Sequence, residues 1–557
     1  MTIRAADLLV ECLTVHGVER VFCVPGESYL SVLDSLHDQP AIDVITCRHE
    51  GGAGFMALGQ ARLTGKPSVL FVSRGPGCMN AAIAIHSAQQ DASPLLVFVG
   101  QAERENLQRE AFQYMNYERL FGDVAKWVVE VHDASRLSDV VCTAFYLAQS
   151  GTPGPVVISL PEDMLEDQCE RTSIYPRSLA GSSADPQSMA ETLKAIGQAQ
   201  RPLVIAGGLL KCDQGKKALL EFAEHFGLPV ATSVRHADVF PNEHPLFAGH
   251  LIYGLPAELK RSVDDTDLII AVGTRLGDVT SQGFHFPAAP KARQKLIHVW
   301  PDENTVSRYR QTDIAVAAQP VTVLRSLIAA APAADVQPSS WRQGLHRTAV
   351  GLRSWTPLDD LEDGVVFGNI VALADELVPE DAIICLDAGN FGGWMQRQFR
   401  FGPTRQLIGP SSGAMGYGIP SAVACSLAEP VRTVLCFVGD GGFLMTGSEL
   451  ATAKQFGAAP VIIVSDNGCY GTIRMHQEKQ FPHRQSATDL HNPDFVTMAE
   501  SYGAVAYRVN ETAEFAPALQ RALQSKVLSV IVVRTSVSHI SASTTIAQLR
   551  NEMERSA

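Results

Sequence analysis

Residues 433–467 read TVLCFVGDGGFLMTGSELATAKQFGAAPVIIVSDN. An apolar, strand-length run ends in the turn Gly439-Asp440-Gly441-Gly442. A helix-length amphipathic stretch follows, then a Pro, a second apolar run and Asp466-Asn467. This is one strand–turn–helix–strand unit of a parallel α/β sheet. It puts Asp440 and Asn467 at the carboxyl ends of two strands on one sheet edge, where open α/β sheets bind ligands. A carboxylate and an amide oxygen held together there suit a hard divalent cation such as Mg²⁺. The glycines let backbone N–H groups approach phosphate oxygens.

The same block recurs twice upstream, as GPGCMNAAIAIHSAQQDASPLLVFVG from Gly75 and GGLLKCDQGKKALLEFAEHFGLPVATS from Gly207. The spacers from the last Gly of the turn to the Pro are 16, 20 and 17 residues. So long a period excludes a solenoid and predicts three successive open parallel-sheet α/β domains. Small, polar or Ala/Pro-rich stretches at 178–187 and 329–340 read as linkers. The expected units are 1–177, a Rossmann-like 188–332 and 360–536, with a tail at 537–557 that could fold over a neighbouring domain.

Composition narrows the class. The 557 residues are 46% hydrophobic and 19% charged, enough to bury large cores. A diffuse net charge of -14 argues against nucleic acid or an anionic membrane as the main partner. The apolar runs, such as 94–100 and 528–533, are strand length and too short to span a bilayer. Eleven Cys without CxxC pairs predict buried free thiols, and the opening MTIRAADLLVECLTVHG is patterned unlike a signal or transit peptide. The expected location is cytoplasmic.

A second segment, Ile45 to Ala53 (ITCRHEGGA), is a strand end, a Glu and small residues opening a helix; it lies about 25 residues after the Pro25-Gly26 turn. Alone, Glu50 also reads as a helix N-terminal acid favoured by the dipole. Together with the Asp440/Asn467 unit, it resembles the thiamin diphosphate-dependent enzymes, in particular the acetolactate synthase-like branch. That resemblance implies a pyrimidine-binding first domain and a diphosphate-binding third domain. Glu50 would bond N1′ of the cofactor's aminopyrimidine and assist removal of the thiazolium C2 proton. Asp440 and Asn467 would ligate Mg²⁺ through side chains and Cys469 through its carbonyl. The implied cofactor contacts are Pro25, Gly26, Asn80, Ala388, Gly389, Asn390, Gly413, Met415 (propping a bent cofactor), Gly439, Gly441, Gly442, Tyr470 and Gly471. Phe112 would wall the pocket, and Gln113 and His476 would steer the second half of the reaction. A homodimer or dimer of dimers is implied, with Glu50 and Asp440 of different subunits sharing one cofactor.

The chain also departs from the synthase pattern. The Arg that acetohydroxyacid-forming members carry a few residues after the segment matching Ala111-Phe112-Gln113 falls on Gly122, and their Trp after the metal turn is replaced within Arg474-Met475-His476-Gln477. Arg474 reads as a bidentate donor to an anionic substrate or as a solvated helix charge. Gly273-Thr274-Arg275-Leu276 resembles a turn that contacts FAD, yet Trp300-Pro301-Asp302 stands where an acidic turn is usual; FAD and an unliganded central domain both stay open. The reading is a thiamin diphosphate- and Mg²⁺-dependent lyase or carboligase acting on a 2-oxoacid. The alternatives are a thioester-type lyase or acyltransferase of the same family, and a nucleotide-binding regulatory protein on the same fold.

Overall fold

A computed structural model describes residues 2–179, 181–333 and 339–556. Ala180 and residues 334–338, inside the two expected linkers, lie outside the described residues. Three six-stranded sheets follow one another along the chain. The first runs Asp43–Thr46, Arg20–Cys23, Ser68–Val72, Leu95–Gln101, Pro155–Pro161, Trp127–Glu130, every neighbour parallel. The third runs Gln406–Ile408, Ile383–Leu386, Val434–Gly439, Val461–Asp466, Ser529–Arg534, Val505–Val509, again all parallel. Counted in chain order within each sheet, both have the order 2-1-3-4-6-5. The central sheet starts from Phe247–His250, Val230–Thr232 and Pro202–Ala206 and continues through Leu268–Val272, Lys295–Trp300 and Ile314–Ala317, an order of 3-2-1-4-5-6. The three units share a local pattern, but only the outer two share a topology. An antiparallel ribbon, Thr2–Arg4 on Gln168–Glu170, ties the amino end to the close of the first unit.

The strands read as continuous apolar runs because parallel sheets are covered on both faces. One helix explains how the outer units meet. Glu50–Thr64 has almost no polar face and is buried from Gly51 to Gly59, which is expected of a helix with protein on all sides. It packs on Gly418–Ala428 of the third unit, and Phe55 meets Tyr417 edge to face at 5.4 Å. At the crossing a Cβ on Gly59 would lie 2.8 Å from the Ser421 Cα, so only Gly lets the two backbones approach. Ten of the eleven thiols are buried; Cys212 is exposed. No helix among the described residues is long and apolar enough to cross a membrane.

Candidate active site

An order of 2-1-3-4 places a crevice at the carboxyl ends of strands 1 and 3, where neighbouring connections leave in opposite directions. In the third unit the first strand, Ile383–Leu386, delivers Asp387-Ala388-Gly389-Asn390 there. The third, Val434–Gly439, delivers Asp440, and its neighbour Val461–Asp466 delivers Asn467. Asp440 is 4% exposed. Its Oδ1 accepts from its own neighbour, the Gly441 N–H, at 2.8 Å. Its Oδ2 accepts from Asn492 Nδ2 at 2.8 Å and from the Cys469 N–H at 3.3 Å, while Asn467 Oδ1 takes the same N–H at 3.0 Å. Burial pushes the Asp440 pKa up, and the nearby Asp466 carboxylate adds to that, a cost that a cation beside it would remove.

Asn492 was not among the expected site residues. Its Nδ2 also donates to Asp466 Oδ1 at 2.8 Å, bridging two carboxylates, and its own Oδ1 is buried without a partner. Asp440, Asn467 and this orphaned amide oxygen form an oxygen-only donor set that fits Mg²⁺. Among the described residues no group of three or more His, Cys, Asp or Glu is placed to hold a metal. Asn492 sits in the Asn-Pro-Asp-Phe turn, 25 residues beyond Asn467, and only the tertiary fold brings it back.

The rest of this crevice is built from close approaches. The Tyr470 ring covers Gly441, where a Cβ would lie 2.6 Å from Tyr470 Cε1 and 3.3 Å from the Met415 terminal methyl. Gly413 has φ +69°, a conformation glycine takes without strain. Asp387, fully buried, accepts the N–H groups of Ala388 (2.7 Å), Gly416 (3.0 Å) and Gly418 (2.8 Å), so it staples the Met415 loop to the first strand end. Burial outweighs these bonds and pushes its pKa up to about 6. Asn390 donates to the carbonyls of Gly471 (3.1 Å) and Ile540 (3.2 Å), which pins the tail over the metal-side turn.

In the first unit the corresponding crevice receives Pro25-Gly26 and the Gly75 turn, with Glu50 after the adjoining strand. Glu50 opens its helix; the His49 imidazole caps it, Nδ1 accepting the Gly51 N–H at 3.0 Å. Asn80, in the first turns of the helix Pro76–Gln90, donates from Nδ2 to Glu50 Oε2 at 2.9 Å. Glu50 Oε1 would lie 3.2 Å from a Cβ on Gly77, so the glycine keeps that oxygen clear. Gln113 has φ +60°, and its carbonyl packs on Gly75. Phe112 is 72% exposed, and His476 is exposed as well. Arg474 is neither solvated nor a free donor: it is 9% exposed, and its Nε bonds Glu478 Oε1 at 2.9 Å.

The central crevice, after Pro202–Ala206 and Leu268–Val272, is filled by the protein itself. His236 rests on Gly208, where a Cβ would lie 2.5 Å from its Nε2. Lys211 pairs with Asp238 at 2.9 Å, Lys216 lies 3.7 Å from the same carboxylate, and the Leu407 N–H donates to it at 3.0 Å. Arg275 donates to the carbonyl of Gln89 at 2.6 Å, and Trp300 Nε1 bonds Thr152 at 2.8 Å. A cleft of about 1060 Å³ runs past this plug, with Arg62, Lys216 and Arg432 on its walls. The turn that would cradle a dinucleotide's phosphates is thus capped by an imidazole, and its lysines are neutralised by an internal acid.

Comparison with known proteins gives one answer along the chain. The description "Thiamine pyrophosphate enzyme, N-terminal TPP binding domain" matches residues 3–120, the central domain of the same enzymes matches 189–327, and their C-terminal TPP binding domain matches 387–533. The acetolactate synthase large subunit of Parasynechococcus marenigrum is 32% identical over 96% of this chain and 87% of its own. That of Corynebacterium glutamicum is 31% identical over 95% and 86%. The solved thiamine diphosphate-dependent 4-hydroxybenzoylformate decarboxylase of Rhodococcus jostii RHA1 superposes with a TM-score of 0.84 at 24% identity, over 96% of this chain and 99% of that one.

Proposed function

We infer, from the fact that this chain belongs to the acetolactate synthase-like branch of the thiamine pyrophosphate enzymes, that it breaks a carbon–carbon bond of a 2-oxoacid and then ligates or protonates the product. One observation carries this reading to the residues. Glu50, steadied by Asn80, stands at the carboxyl edge of one sheet, while Asp440, Asn467 and Asn492 converge at the same edge of a sheet with the same strand order.

Thiamin diphosphate, when bound, supplies the electron sink that lets the bond to the departing group break. The chain's own part begins at Glu50. Asn80 engages Oε2, which leaves Oε1 as the oxygen that holds and returns a proton. Asp440 and Asn467, with the Cys469 carbonyl and Asn492 Oδ1, would hold Mg²⁺ against the diphosphate, and the turns at Gly389, Gly413 and Gly441 leave room for it. Met415, whose loop the Asp387 staple fixes, would orient the cofactor. Phe112 would wall the pocket, and Gln113 and His476 would steer the second half of the reaction.

A second copy completes the site. Met79 and Ile83 beside Asn80, and Leu444 and Met445 after Asp440, are each more than 40% exposed. Apolar rims of this kind next to a half-built crevice fit an isologous interface. The test is CO₂ release from a panel of 2-oxoacids, pyruvate first, with thiamin diphosphate and Mg²⁺ added and products identified. Turnover of at least one donor, dependent on both additions, is expected; no turnover across the panel sinks the reading.

We propose that the central domain carries no flavin, because His236 rests on the Gly208 turn and Asp238 pairs with Lys211 there. The purified protein is expected to show no flavin band near 450 nm and no gain in activity with added FAD. A stoichiometric band would overturn this.

A further inference from the structure

A buried carboxylate of the third unit faces the Glu50 turn. Glu449 opens the helix Glu449–Phe456 and is fully buried, and its backbone partners belong to the first unit. Its Oε1 accepts the Arg48 N–H at 3.1 Å and the His49 N–H at 3.0 Å; Oε2 takes the Arg48 N–H at 3.2 Å and the Thr452 hydroxyl at 2.6 Å. These two N–H groups immediately precede Glu50 and belong to the open amino end of its helix, where donors lack helical partners. The fit is tight: a Cβ on Gly52 would lie 2.3 Å from Glu449 Oε1. Arg48's own guanidinium is turned away, bonding the Thr46 carbonyl and Gln455.

We propose that Glu449 is the positioning residue for Glu50, an inference that rests on the thiamin diphosphate reading. A carboxylate 399 residues from Glu50 in sequence holds the 47–48 and 48–49 peptide units, the two that lead the chain into the start of the Glu50 helix. It thereby sets the reach and angle of the proton-carrying oxygen. A helix acid kept only for packing has no need of both N–H groups, nor of a glycine cut to its outline. The groups facing Glu449 are the Arg48 and His49 amides, the Thr452 hydroxyl, the Arg48 guanidinium and the Cys47 thiol; burial raises the Glu449 pKa and its hydrogen-bond donors lower it in part.

Glu449→Gln keeps the volume and one acceptor but turns an NH₂ toward donors. In the full-length enzyme with thiamin diphosphate and Mg²⁺, kcat is expected to fall roughly tenfold with donor KM unchanged, since Glu449 touches no substrate. The thiamin diphosphate Kd, read by tryptophan fluorescence quenching, should rise. Glu449→Asp, which keeps the charge and both acceptor oxygens on a shorter arm, should recover part of the lost kcat. A kcat within twofold of wild type at every pH, or a loss that only tracks a fall in Tm, overturns the proposal. If Glu50→Gln is itself silent, the underlying reading fails; if Glu50→Gln is dead while Glu449→Gln is normal, only this inference fails.

Discussion

Glu50→Gln is expected to lower turnover by about a thousandfold, or about 4 kcal/mol of barrier, within the range that a general acid–base group contributes. The amide has the same shape, keeps an acceptor for Asn80 Nδ2 and leaves the helix cap at His49 untouched. Folding and donor binding should therefore survive, and the loss should fall on kcat. Because Glu50 and Asp440 are assigned to opposite ends of one cofactor but to different subunits, the same variant tests assembly. Glu50→Gln and Asp440→Ala chains, each inactive alone, should regain about a quarter of wild-type activity when coexpressed: half the dimers are mixed, and each mixed dimer holds one intact site. Recovery well below that would place both residues in a single chain's site.

The second large effect concerns the tail. Its helix Ile546–Ser556 lies on Gly471–Gln480, with Ile540, Ile546, Leu549, Val537 and Met475 forming a small apolar core between them. The latch is Glu478, whose side chain is 1% exposed. Arg550 grips it with two bonds of 2.7 Å, Arg474 adds a third at 2.9 Å, and the His483 N–H a fourth at 3.2 Å. Arg550, the largest influence, holds the Glu478 pKa at about 2, against an ordinary 4.5. A depressed acid stabilises only when ionised, so the latch is whole above pH 4.5 and is lost as pH falls toward about 2.

Glu478→Gln leaves two guanidinium groups facing a neutral amide. A deep pair broken this way costs 3–5 kcal/mol; with Arg550 27% exposed, about 2 kcal/mol is expected, a factor of roughly 30 in the open tail. Trypsin cleavage at Arg550 should accelerate by that order. Thiamin diphosphate should also be held less tightly, because the tail carbonyl at Ile540 shares Asn390 with Gly471 over the diphosphate end. Unchanged cleavage would show that the apolar contacts alone hold the tail.

These cases mark where the sequence was legible. Asp440 and Asn467 could be read because strand, turn and spacing are local properties, and parallel neighbours put them on one edge with Gly439 in register with Ser465. Strand order is not local: the three turn–helix–strand blocks look alike, yet the central sheet is 3-2-1-4-5-6 and the outer two are not. Arg474 carried an ambiguous signal. Its Glu478 neighbour at i+4 was visible in the sequence, but Arg550 is 72 residues from Glu478 and decides which way the pair faces. Glu449 gave no signal, since it reads as a helix acid, and the Asn492-Pro493-Asp494-Phe495 match gave no sign that Asn492 would reach Asp440, until distant backbone closes around them. Asp238 is similar: nothing in SVRHADV says that it will pair with Lys211 and take the Leu407 N–H inside its own fold.

One thiol stands apart from the other ten. Cys212 is exposed just before the helix Asp213–Phe226, on the wall of the cleft between the three units. A maleimide dye added to the native protein will therefore attach at a single address without any engineered cysteine. It gives the chain an optical handle on that cleft, and with acceptor dyes on a second copy, a ruler between subunits.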